Sequence, residues 1–148
     1  MNYDIIVVGS GPAGAYLAYK LADFGADVLI LEKNKWPRYK ACGGVVSEKT
    51  INLLKKENVE LPDKLIKNRV KNFIFRFNFI DNYETNYNGP SVKLTNRKIF
   101  DDYLLNQAVK KGAHFLDSSE VKNIYKDESI VKVQDQNRYS KPLLLNTI

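Results

Sequence analysis

Gly9, Gly11 and Gly14 stand in the spacing G-x-G-x-x-G directly after an apolar run, Ile5 to Val8. Glu32 follows some twenty residues after Gly11. In this pattern Gly9 permits a tight turn off a strand. Gly11 lets backbone approach a pyrophosphate, and Gly14 lets a helix pack closely on a sheet. Pro12 and Ala13 open that helix, whose free N–H groups and dipole point at the phosphates. Glu32 is placed to accept hydrogen bonds from a ribose 2′-OH. An acid there, rather than a small residue followed by Arg, favours an unphosphorylated ribose, hence FAD or NAD rather than NADP. The alternative is a tight β–α turn that holds no ligand.

A second group of reactive types lies just downstream. Residues 33 to 46 hold Lys33, Arg38, Lys40 and Cys42 with Pro37 and the Gly43-Gly44 pair, a cation- and aromatic-rich loop with turn-forming residues. Thiol reactivity at Cys42 needs a lowered pKa; the plainer reading is a small loop residue. Arg97 near a helix start reads by itself as a solvated charge. His114 opens a strand expected to be buried and reads as structural. No metal-ligand cluster is expected.

The elements that position these residues follow from periodicity. Ile5 to Val8 reads as a strand buried on both faces of a parallel sheet. A helix runs from about Pro12 to Phe24, stopped by Gly25, and Val28 to Leu31 is the second strand. Ser47 caps a short helix to about Leu54, and residues 56 to 69 read as a surface connection. Residues 70 to 80 alternate, with Phe73, Phe75, Phe77 and Phe79 on one face, as in a half-buried strand whose aromatic face is core or a domain contact. Asp81-Asn82 turns it into a second arm, Tyr83 to Tyr87. Asn88-Gly89-Pro90 is a further turn, and Ser91 to Thr95 is a short strand. Asn96 caps a helix over roughly 97 to 111, with an apolar stripe of Ile99, Phe100, Tyr103, Leu104 and Ala108. Ala113 to Leu116 is a third parallel strand. Glu120 to Tyr125, Ser129 to Val133 and Tyr139 to Leu145 read as a β-meander. The fold class is α/β: a Rossmann-type βαβ with a parallel sheet of at least three strands, an inserted antiparallel hairpin and a meander.

The chain has 148 residues, 44% hydrophobic and 11% aromatic, with a formal charge of +6. These are globular values for one domain. The cations are interleaved with acids, so nucleic-acid binding is not expected, whereas anionic headgroups or diphosphates are compatible partners. A single cysteine forms no internal disulfide and suits a reducing, cytoplasmic compartment. With no room for a signal peptide and no apolar run near 20 residues, a soluble protein or one peripheral to a membrane is expected.

Four stretches carry a family resemblance: residues 4–14, Leu31-Glu-Lys33, Pro37-Arg-Tyr-Lys-Ala-Cys-Gly-Gly44 and Arg97-Lys-Ile-Phe-Asp101. The chain resembles the geranylgeranyl reductase family of flavoproteins, within the FAD-dependent group that includes p-hydroxybenzoate hydroxylase. The resemblance implies FAD held by the glycine turn, Glu32 and Lys33. It implies a loop through Arg38, Lys40, Cys42 and Gly43 near the flavin, with Cys42 the candidate catalytic residue. Arg97 would contact the cofactor, and Val121 would meet the adenine through its backbone. The implied activity is reduction of isolated C=C bonds in prenyl chains, such as geranylgeranyl diphosphate, a chlorophyll side chain or a prenyl lipid. The implied partners are a prenyl substrate and an electron donor, NADPH or ferredoxin.

The family continues with a strand ending in Ala-Asp-Gly, a later Gly-Asp motif and a substrate region. Here the expected strand is residues 142–148, without Asp-Gly. Residues 1–148 are therefore expected to be the N-terminal part of an FAD/NAD(P)-binding domain, truncated or paired with a separately encoded C-terminal half, and inactive as a fragment. The alternatives are a non-catalytic dinucleotide-binding remnant and an aromatic hydroxylase relative, the latter disfavoured by the Cys-Gly-Gly loop.

Overall fold

A computed structural model describes residues 2–86, 89, 92–126, 130–135 and 143–146. The chain divides into two compact units, residues 1–38 with 101–148, and residues 39–100.

The first unit is built on a parallel three-stranded sheet, β2 (Ile5–Val8), β3 (Val28–Leu31) and β9 (His114–Leu116), in the order β2-β3-β9. Every residue of β3 is buried, as expected of a central apolar strand. The sequence expectation that β2 is buried on both faces is corrected: Ile5 and Ile6 are only half-buried, and Val8 at its end is exposed. The helix α1 (Pro12–Asp23) links β2 to β3 and buries the small residues Ala15, Ala18 and Ala22 together with Tyr19. Gly25 (φ +87°) ends it. The strand β1 (Asn2–Tyr3), upstream of β2, pairs in parallel with β12 (Leu143–Asn146). That strand continues antiparallel through β11 (Ile130–Asp135) to β10 (Val121–Lys126), so the expected meander is present. Tyr3, Leu29 and Leu31 form a core cluster joined by Ile6, Leu116 and Val121.

The second unit holds β4 (Val45–Val46), α2 (Glu48–Lys56), β5 (Ile66–Val70) and β8 (Val92–Thr95), with the antiparallel sheet order β4-β8-β5. Ser47 Oγ accepts from Thr50 N–H at the start of α2. The surface connection expected over residues 56–69 is in fact partly buried and ends in a strand. Val59 and Leu65 are buried, and β5 runs from Ile66. Its Lys67, Asn68 and Arg69 are exposed, so no apolar alternation marked it.

The hairpin of β6 (Asn72–Phe77) and β7 (Asp81–Asn86) is present. Its turn is Asn78-Phe79-Ile80, not Asp81-Asn82, because Asn78 and Phe79 take positive φ and Ile80 N–H bonds back to Phe77. Nor is β6 half-buried. Phe75, Phe77 and Phe79 are exposed, and Phe79 sits in the turn, off the face of its neighbours. Tyr87, Asn88, Pro90, Ser91, Ser129, Tyr139 and Pro142 of the expected elements lie outside the described residues.

The helix α3 (Arg97–Lys110) spans the division of the chain. Asn96 caps it, its Oδ1 accepting from Lys98 N–H at 2.9 Å. Its buried side is Phe100, Asp101, Leu104, Leu105 and Ala108; Ile99 of the expected stripe is exposed and an aspartate takes a buried place instead. His114 is not buried either. Its side chain is 61% exposed, 3.7 Å from Asp27 and edge-on to Tyr3.

Candidate functional site

The glycine turn is built as its spacing requires. Gly9 adopts φ +101°, and its N–H donates to the Leu31 carbonyl at 2.7 Å, locking the end of β2 to β3. A Cβ at Gly14 would run into the Gly9 carbonyl, so a side chain there would break the turn. Gly11 differs. A Cβ would meet only Arg38 Nη2, at an ordinary 3.6 Å. Nothing in the fold demands glycine there, and the backbone is left open to close approach. Gly11 is also the N-cap of α1, and no side chain caps it. The first-turn N–H groups, which have no intrahelical acceptor, are thus presented to an anion. Pro12 and Ala13 form that first turn.

Glu32, at the end of β3, is only 4% exposed. Oε2 accepts from Ser10 N–H at 3.2 Å and Ser10 Oγ at 2.8 Å. Oε1 accepts from Asn34 N–H at 3.1 Å and Asn34 Nδ2 at 2.9 Å. Burial by itself would raise the Glu32 carboxyl, but these four bonds outweigh it and hold the pKa down at about 2. The acid is therefore charged, with both carboxylate oxygens held by Ser10 and Asn34. Lys33 is exposed beside it.

The chain from Glu32 is tied to β9 and its exit. Glu32 N–H bonds to the Leu116 carbonyl, Ser119 N–H to the Glu32 carbonyl and Ser118 N–H to the Asn34 carbonyl. Trp36 N–H donates to Asp117, and its indole Nε1 to Asp102 at 2.8 Å. This anchoring delivers Arg38 to Glu32, with Nε 3.5 Å from Oε2, and to the fully buried Asp101, with Nη1 donating at 3.0 Å. Asp101 was legible only as part of a motif; nothing in its spacing announced a buried partner for Arg38. Val121, at the start of β10, is half-buried against the Tyr3 cluster, beside a register shift in β10.

The second unit holds the rest of the expected site. A cavity of about 330 Å³ is lined by Lys40, Cys42, Gly43 and Arg97, with Tyr39, Lys67, the end of β8 at Leu94 and Thr95, and Asn96. The lining contains three cations and no carboxylate. Lys67 was missed from sequence because β5 was. Cys42 carries an exposed thiol, in no disulfide, whose Sγ accepts from Gly44 N–H at 3.4 Å. Gly44, not Gly43, carries the unusual backbone: its φ is +71°, and a Cβ would strike the Thr95 carbonyl across the β4–β8 pair. The loop read from sequence as one group is thus divided, Arg38 in the first unit and Lys40, Cys42 and Gly43 in the second. Among the described residues no cluster of His, Cys, Asp or Glu is arranged to hold a metal, and no helix is long and apolar enough to cross a membrane.

Residues 2–141 match the family model of the FAD binding domain. The chain belongs to this FAD-binding family. Its cofactor is FAD, and the small, uncapped, phosphate-facing turn and the charged Glu32 fit that group. An uncharacterised protein of Methanosarcina barkeri is 37% identical over 126 residues, covering 83% of this chain and 31% of the relative. Digeranylgeranylglycerophospholipid reductase 1 of Methanopyrus kandleri is 32% identical over 114 residues, covering 76% of this chain and 29% of its own length. Among solved structures, a geranylgeranyl bacteriochlorophyll reductase-like protein of Thermoplasma acidophilum superposes with a TM-score of 0.76 at 22% identity, over 98% of this chain and 37% of that one. A halogenase, PltM, solved with FAD, gives 0.79 at 26% identity, over 97% and 33%. The family is thus one of FAD-binding oxidoreductases with both geranylgeranyl reductase and halogenase relatives. This FAD-binding chain spans about three tenths of the length of the curated relatives it matches.

Proposed function

We propose that the chain is the FAD-binding part of a prenyl reductase of the geranylgeranyl reductase type. It would act on a prenyl diphosphate, a prenylated chlorophyll side chain or a prenyl lipid. The observation that supports this most is the cavity of the second unit. Lys40, Cys42 and Gly43 of the Pro37–Gly44 stretch and Arg97 of the Arg97–Asp101 stretch line one space whose charge is wholly positive. Lys40, Lys67 and Arg97 there favour an anionic ligand. The small Cys42-Gly43 corner leaves room for an apolar one. Gly11, the open end of α1 and Glu32 bind and orient the dinucleotide. FAD, when bound, supplies the hydride. Saturating an unactivated alkene further needs a site closed to water. The remaining length of the relatives would supply it, in continuous sequence or as a separately encoded half. NADPH or ferredoxin would serve as donor, in the cytoplasm at a membrane surface.

The test uses the chain alone and the chain joined to the C-terminal part of the Methanopyrus kandleri reductase. Each is loaded with FAD and given dithionite and geranylgeranyl diphosphate, with products read by mass spectrometry. The joined protein should hydrogenate the chain and the isolated chain should not. Chlorination of a phenol in a parallel assay with chloride and oxygen, with no hydrogenated prenyl product, would refute the proposal in favour of a halogenase.

A further inference from the structure

Arg38 is held on two of its three guanidinium nitrogens. Nε faces Glu32 at 3.5 Å and Nη1 donates to Asp101 at 3.0 Å. The guanidinium lies over the Trp36 ring, 5.2 Å from its centroid, and Trp36 is itself fixed by Asp102 and Asp117. The third nitrogen, Nη2, has no acceptor among the described residues. It stands 3.6 Å from the place a Gly11 side chain would fill. A planar guanidinium pinned on two edges points its third in a set direction, which a lysine ammonium cannot do. Here that direction is the ligand-facing backbone at the open end of α1.

Asp101 explains how the geometry is kept. It is fully buried, and a buried acid without a cation is costly. With Glu32 it places two acids beside an anion site. They would repel a phosphate unless a cation stood between.

We propose that Arg38 binds the FAD pyrophosphate, donating from Nη2 to a phosphate oxygen beside Gly11, and that Asp101 is a positioning residue acting through Arg38. The inference rests on FAD as the cofactor and assigns Arg38 to the phosphates rather than to the flavin.

The test is equilibrium binding to the full chain, with FAD read by its fluorescence and ADP and adenosine as competitors. Arg38→Met should weaken FAD and ADP at least about tenfold, as for loss of a charge-assisted bond, and adenosine less than about twofold. Arg38→Lys should recover only part of the loss. Asp101→Asn should weaken FAD about three- to tenfold. The double variant should bind no more weakly than Arg38→Met, since Asp101 acts through the arginine. Circular dichroism and urea midpoints verify folding. Asp101→Glu, which keeps the charge but displaces the guanidinium, serves if Asp101→Asn does not fold, with the same several-fold loss confined to phosphate-bearing ligands. Additive losses in the double variant, or an equal loss for adenosine, would overturn the inference. A parent that binds FAD and an Arg38→Met variant that binds it equally overturn this inference alone. A parent that binds no FAD overturns the cofactor assignment with it.

Discussion

Glu32 offers a stability test that needs no ligand. Its carboxyl sits near a pKa of about 2 in the folded chain, against an ordinary value of 4.5. A folded-state pKa below the unfolded one stabilises the fold above the unfolded value, and that stability is lost as pH falls through the folded one. The full shift corresponds to about 3 kcal/mol. Between pH 6 and pH 3 linkage removes about 2 kcal/mol of it. Glu32→Gln cannot titrate. Its amide nitrogen must also face donors, those of Ser10 and Arg38 or those of Asn34. The variant should start about 2 kcal/mol less stable at pH 6, the scale of lost bonds to a charged group. It should then lose about 2 kcal/mol less than the parent on going to pH 3. Trp36, the only tryptophan, packs edge-on against Phe115 at 5.7 Å in the same unit, so its fluorescence in urea titrations reports this unfolding. Asp23 and Glu120 are also held low, by hydrogen bonds from Lys111 and Lys122. Both remain in parent and variant, so they cancel in the difference. Equal pH slopes for the two proteins would refute the assignment of this stability to Glu32.

Other substitutions separate folding from binding. Gly11→Val should keep its far-UV circular dichroism while FAD retention is abolished, because a Cβ there meets only the end of Arg38; unchanged flavin content would refute the approach of pyrophosphate there. Gly14→Val should instead fail to fold, its Cβ colliding with the Gly9 carbonyl. Gly44→Ala, at φ +71° against the Thr95 carbonyl, should destabilise the second unit by more than about 1 kcal/mol, seen as a lower urea midpoint. Phe79→Ser, at a turn residue 94% exposed, should change stability by less than about 0.5 kcal/mol and reduce self-association on gel filtration.

Local rules wrote much of this structure into the sequence. A glycine after a β-branched run, a proline at the first helical turn and an apolar strand before an acid each act over a few residues. Accordingly β2, α1, β3 and α3 lie within one residue of their expected bounds. The gathering of Lys40, Cys42, Gly43 and Arg97 was legible only through the resemblance, since no spacing rule brings residue 97 to residue 42. What pairs with what was left to tertiary structure. The strand β5 exists because β8 offers it a hydrogen-bonding edge, although its own residues are mostly polar. The aromatic alternation of β6 promised burial, yet alternation tells only which residues share a face. Whether that face is covered depends on what packs there, and Phe75 and Phe77 are open. Glu32 shows the same division. Its position after β3 marked it as an acid for a ribose, while its charge and its stability follow from Ser10 and Asn34. Arg38, in turn, is aimed by Asp101, 63 residues away, at a glycine no local pattern connects to it.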